Sequence, residues 1–158
     1  MAKTCMKLFV AVLALAFGAG HSFACSPMAN APANFSPKKP AQTIIAPGVP
    51  EVSIEHINRG GDRPDSCWDI GRIVLSVAPD PNGYAYSFEV VKGKSPSDGF
   101  DKKAMTGYDS NGRQTFQFIW HEPGQAAPFD FKVRVTAYSK AGNKGGFSII
   151  RIRDDGRP

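Results

Sequence analysis

Few residues of this chain are of types that carry chemistry. They are Cys5, Cys25 and Cys67, His21, His56 and His121, and carboxylates scattered through loops and alternating runs. Asp62, Asp65 and Asp69 flank Cys67-Trp68 in a loop, and oxygen ligands gathered in a loop are what a calcium ion takes. Their spacing fits no calcium loop and Arg63 stands among them, so they read as solvated carboxylates. His56 and His121 have no histidine or cysteine at metal-ligand spacing and read as strand or turn residues. A serine nucleophile needs a base and an orienting acid beside it, and no Gly-x-Ser-x-Gly elbow is present. A carboxylate pair for glycoside hydrolysis has only Glu51, Glu55, Glu89 and Glu122 to draw on as glutamates, and Glu89 points outward in an alternating run. The expectation is no catalytic residue, no metal and no cofactor. A small secreted hydrolase is the rival reading.

The cysteines belong to the question of where the protein works. Lys3 and Lys7 precede the apolar run from Leu8 to Gly18, and Ser22 and Ala24 place small residues before Cys25. That is the pattern of a secretory signal peptide over residues 1–24. The run is shorter than the ~20 apolar residues a membrane span needs, and Gly20 and His21 follow it. Cys5 and His21 leave with the leader. Cys25 and Cys67 remain, and an even pair in an exported chain reads as a disulfide. It closes a loop of about 40 residues and stabilises by roughly 4 kcal/mol in the chain-entropy view. A second reading lipidates Cys25, although Ser22 stands where lipoprotein signals favour leucine, and Phe23 is bulky. The expected location is periplasmic or secreted, with the lipid-anchored form as the alternative.

Removing Lys3 and Lys7 takes the 19 basic residues to 17 against 14 acidic ones, a net charge of +3. That charge is spread along the chain, without the concentrated basic patch and aromatic platform of a nucleic-acid binder. Trp68, Tyr84, Tyr108 and Tyr138 are the aromatics best placed for a surface that binds protein or sugar. The plainer reading packs Trp68 over the disulfide.

Such residues need a scaffold, and the alternation supplies it. Phe129, Phe131, Val133, Val135 and Ala137 alternate with Asp130, Lys132, Arg134, Thr136 and Tyr138, which predicts a long strand with one buried and one wet face. Ala141-Gly-Asn143 then lets the chain turn. The same two-residue period marks Val52–His56, Ile73–Val77, Tyr86–Val90, Phe116–Trp120 and Phe147–Ile152, with a short strand around Met105–Tyr108. Turn signals at Pro79–Gly83, Lys92–Pro96, Asp109–Gly112 and His121–Gly124 separate them. No amphipathic helical stretch and no internal repeat occur. Residues 25–48 hold five prolines among Ala, Ser and Asn and read as a flexible spacer. Asn34-Phe-Ser36 matches a glycosylation sequon by chance. Residues 49–153 then form one all-β, antiparallel sandwich of six to eight strands, and residues 154–158 a disordered tail. Phe88, Phe118, Trp120, Val133, Val135 and Ile150 are its expected core.

Two segments carry a family resemblance. Leu75-Ser-Val-Ala-Pro-Asp-Pro-Asn-Gly-Tyr-Ala-Tyr86 gives a strand, a proline turn and a Gly-Tyr-x-Tyr start of the next strand. Phe131-Lys-Val-Arg-Val-Thr-Ala137 gives a late strand before a Gly-Asn turn. In these the chain resembles a fibronectin type III-like domain of the immunoglobulin-like class, over residues 49–153. It departs from that pattern at Phe131, where a tyrosine is usual, and at Val77, where tryptophan is frequent. The family is a scaffold for binding and spacing, so the resemblance implies no chemistry. The expected function is a non-catalytic, exported interaction module of the bacterial envelope or secreted space, meeting a protein or glycan. An accessory subunit of an envelope complex is a further alternative.

Intact mass of the native protein checks the leader: a chain starting at Cys25 is expected, and retention of residues 1–24 contradicts it. Non-reducing peptide mapping is expected to return a Cys25–Cys67 cross-linked pair. Two free thiols, or a diacylated N-terminal peptide, would contradict the disulfide.

Overall fold

The computed structural model describes residues 30–39, 43–57, 70–80, 82–121 and 127–156. The leader, Cys25, Cys67, Trp68, the aspartates at 62, 65 and 69, and Glu122 lie outside the described residues.

Every long alternating run becomes a strand. The elements are β1 (Ala31–Pro32), β2 (Glu51–Ile57), β3 (Ile70–Val77), β4 (Ala85–Lys92), β5 (Met105–Thr106), β6 (Tyr108–Ser110), β7 (Arg113–His121), β8 (Phe129–Tyr138) and β9 (Lys144–Asp154). They form two antiparallel sheets, ordered β1-β5-β4-β8-β9 and β2-β3-β7-β6. The described residues contain no helix, and the two sheets pack face to face as a sandwich. The six long strands are those the alternation predicts. β1, β5 and β6 are short additions of two or three residues.

Burial follows parity. Ile73, Leu75 and Val77 of β3 and Phe116 and Phe118 of β7 face Tyr86, Phe88, Phe131, Val133, Val135, Ala137, Ile150 and Ile152 across the sandwich. Phe88 joins the sheets, its ring 4.7 Å from Phe116 and 5.2 Å from Phe118 at tilted angles. Aromatic pairs in such geometry add to the area they bury. Five of the six expected core residues are buried. Trp120 is half-buried instead: it closes one end of the core between His56 and Phe129, over Gly71, its cross-strand partner. A Cβ at Gly71 would lie 1.9 Å from the indole, so glycine makes the space for that ring.

The Met105–Tyr108 stretch does more than a single strand would. Met105 pairs with Tyr86 in one sheet and Tyr108 with Thr115 in the other, so the chain changes sheets at Gly107. There a Cβ would stand 2.4 Å from the Thr115 carbonyl oxygen, a contact only glycine permits. Asn111 and Gly112, both at positive φ, then form the two-residue turn into β7. Part of the proline-rich stretch before β2 is laid on the sandwich. Ala31 and Pro32 pair with β5, Phe35 packs on Tyr138, and Ile44 packs against the core. At the other end β9 runs to Asp154, whose carboxylate is 2.8 Å from His56 Nε2.

Phe88→Ala is expected to cost about 3–5 kcal/mol, the range for deleting a buried aromatic. Phe147→Ala, on the opposite parity and half exposed, should cost within about 0.5 kcal/mol. Urea denaturation of the two variants checks the assignment of faces, and similar losses would contradict it.

Candidate functional surface

The outward residues of β4, β8 and β9 stand in cross-strand rows. Ala85, Tyr138 and Lys144 form the first, Ser87, Thr136 and Phe147 the second, Glu89, Arg134 and Ile149 the third, and Lys92, Lys132 and Arg151 the fourth. The face therefore grades from hydroxyls and aromatics to bases. In its centre Ser87 and Thr136 are buried despite pointing outward. Glu89 accepts from Lys102 Nζ at 3.0 Å and faces Arg134 at 3.5 Å, and the Arg134 guanidinium lies 5.0 Å from the centre of the Phe147 ring. Phe147 (53% exposed) and Ile149 (50%) are large apolar side chains left in water on adjacent rows of one strand.

β9 is also the last strand of its sheet. Nine of its eleven residues are in register with β8 on one side, Gly145 and Gly146 falling at an irregularity. Among the described residues no hydrogen bond reaches its other side, although Ile44 and Ala46 pass close to Gly145 and Gly146. In the other sheet β2 is likewise a terminal strand, but the β7 stretch that β6 leaves uncovered is treated differently. Beyond the reach of β6, the Gln117 N–H and carbonyl of β7 bond the Asn30 side chain at 3.0 and 2.8 Å, and Ser97 Oγ donates to the Ile119 carbonyl at 2.9 Å. Side chains that cap a strand edge remove it as a template for pairing. Among the described residues β7 has such caps and β9 has none.

Electrostatics on this face hold its carboxylates ionised. The Lys102 hydrogen bond, and then the charges of Lys102, Arg134 and Lys144, hold the Glu89 carboxyl below its usual range. The Arg151 hydrogen bond does the same for Asp130, reinforced by the charges of Arg151, Arg153 and Lys132. A general acid needs the opposite shift. Among the described residues no three His, Cys, Asp or Glu side chains are grouped to hold a metal ion, and no helix is long and apolar enough to cross a membrane.

The aromatics singled out from sequence divide. Tyr84 and Tyr138 come together at one end of the sandwich, where Phe35 lies 6.2 and 6.0 Å from their rings and Lys140 Nζ is 3.7 Å from the Tyr84 centroid. The chain itself thus occupies faces a sugar ring would stack on. Tyr108 lies apart on β6, its hydroxyl accepting from Gln117 Nε2 at 2.9 Å. Trp68 and the Cys25–Cys67 pair lie outside the described residues. Phe147 and Ile149 were not among the sequence candidates. The expected core position of Ile150 sets the phase of Phe147-Ser-Ile-Ile-Arg-Ile152 and so puts Phe147 and Ile149 on the wet face, but the run is apolar at both parities and that outward pair does not stand out until β8 fixes Ile150 and Ile152 inward. No family model matches this chain, and neither a curated protein nor a solved structure is similar to it.

Carboxylates held below their usual range favour folding above about pH 4, and that contribution fades as pH falls through their lowered values. The double variant Glu89→Gln, Asp130→Asn is therefore expected to lose stability less steeply than the parent below about pH 4. Denaturation midpoints at graded pH check this, and parallel slopes would contradict it.

Proposed function

We propose that this chain is an exported, non-catalytic interaction module of the bacterial envelope or secreted space, and that β9 is where a partner protein docks. The observation that carries the reading is the edge of β9 from Phe147 onward, which no hydrogen bond caps among the described residues, beside exposed Phe147 and Ile149. An extended partner segment adding to such an edge gains main-chain hydrogen bonds, while the outward side chains of the strand supply specificity. Phe147 and Ile149 are the apolar anchors, and Arg134 offers a charged contact beside them.

The likeness to immunoglobulin and fibronectin type III scaffolds is part of the same proposal. In its favour, β2-β3-β7-β6 and β4-β8-β9 follow the ABED and CFG strand orders of a constant-type immunoglobulin domain. The leader and the Cys25–Cys67 disulfide rest on the sequence pattern. Scaffolds of this kind work as spacers and contact surfaces.

A photo-crosslinking residue at position 149 is expected to give a discrete protein adduct in envelope extracts, and one at position 103 is not. Adding Phe147→Asp should abolish the adduct while leaving the melting temperature within a few degrees. Equal labelling from both positions would overturn the reading. So would substrate turnover abolished by a carboxylate substitution.

A further inference from the structure

At the far end of the same sheet face three cations stand in one row. Lys92 of β4 is in register with Lys132 of β8, and Lys132 with Arg151 of β9. Neighbouring strands are about 4.8 Å apart, so the row spans roughly 10 Å. Like charges directly opposite each other oppose sheet pairing. The alternation of β4 would instead have set Val91 against Lys132. A bulge between Val90 and Lys92 skips Val91 and brings Lys92 into the row. Bulges re-aim side chains in this manner, commonly beside sites.

The row borders a depression of about 330 Å³ lined by Lys92, Gly93, Asp130, Phe131, Lys132 and Arg151. Gly93, at positive φ, lies against the β8 backbone: a Cβ there would be 2.5 Å from the Asp130 carbonyl oxygen. Asp130 is the one carboxylate of the lining, and Arg151 holds it by two hydrogen bonds of 2.8 and 2.5 Å. Arg153 is engaged by Asp155 at 2.8 Å. Among the described residues neither Lys92 nor Lys132 has an ion-pair partner. Three cations against one carboxylate leave two positive charges uncompensated.

We propose that this depression binds a phosphate monoester, with Lys92 and Lys132 as the primary contacts and Arg151 as the third cation. A phosphate monoester carries about −1.5 to −2 charges at neutral pH and three acceptor oxygens, which matches the uncompensated charge and lets one group meet more than one lysine. A single carboxylate would balance half of it. Lysine binds phosphate as a point charge and needs no fixed fork geometry, which suits two lysines at the rim of a shallow site. The site lies apart from the apolar docking anchors: it uses the fourth row, to which β9 contributes only Arg151, and Phe147 and Ile149 lie on the second and third.

The test titrates the intact mature protein with a hexose 6-phosphate, and separately with vesicles containing phosphatidic acid, following amide shifts or heat. The two arms distinguish a soluble ester from a lipid headgroup carrying the same group. Saturable binding in at least one arm is expected, weakened about tenfold or more in Lys92→Gln, Lys132→Gln, since charge-assisted hydrogen bonds are lost. The control Lys38→Gln, Lys39→Gln removes the same charge from a segment tied to the opposite end of the sheet through Ser36 and Lys140 and should change affinity less than about twofold. Asp130→Asn, which releases Arg151, should tighten binding severalfold. Absence of saturable binding in both arms, or equal losses in the two lysine pairs, overturns the site. Unchanged or weaker binding in Asp130→Asn overturns the part given to Arg151.

Discussion

The structure depends on one constraint, the parity of its strands around an aromatic core. Phe88 lies against Phe116 and Phe118, and Phe118 stacks in turn on Phe100 at 3.9 Å, which reaches Phe131 at 5.3 Å. These rings lock the two sheets together. Once they are inside, period-two geometry leaves every other residue of β4, β8 and β9 outside. The graded rows on the outer face are thus a consequence of the core. A one-residue slip of β9 would bury Phe147 and Ile149 and expel Ile150 and Ile152. β8 prevents it by pairing with β9 almost end to end.

That face is held by charges that compensate one another until its basic end. Glu89 ties Lys102 to Arg134, and Asp130 ties Arg151. Exposed pairs of this kind add little to stability one by one. Their effect is positional: they fix which guanidinium lies by Phe147 and which leaves the fourth row with excess positive charge. The bulge at Val91 and the glycine at 93 complete that end. The sheet's outer face therefore offers two distinct chemistries along one surface, apolar at the uncapped edge and cationic at the bulge.

Much of this was legible in the sequence. The alternation of Phe131, Val133, Val135 and Ala137 against Lys132, Arg134 and Thr136 specifies β8 and both its faces, and Asn111-Gly112 specifies a hairpin. What could not be read depends on contacts between distant segments. The change of sheets at Gly107 follows from its approach to Thr115. Trp120 is bulky enough to look like core, yet it closes the end of the core because Gly71 opposite it leaves a slot. Tyr84 and Tyr138 do meet, but Phe35, from a stretch whose prolines read as a spacer, is packed against them. The phase of β9 followed from Ile150, but its apolar patch was not picked out because large apolar residues occupy both parities of the strand. The lysine row was hidden by a bulge, which alternation alone places one residue out of step.

The central claim is that β9 keeps one side unpaired, and native-state amide hydrogen exchange across Lys144–Asp154 in dilute protein tests it most directly. In an antiparallel edge strand alternate amides point to the neighbouring strand and to solvent. The account predicts a two-residue alternation along β9, with slow exchange where amides pair with β8 and fast exchange at those between them. Uniformly slow exchange along the whole strand would mean that the edge is already covered, and would contradict it.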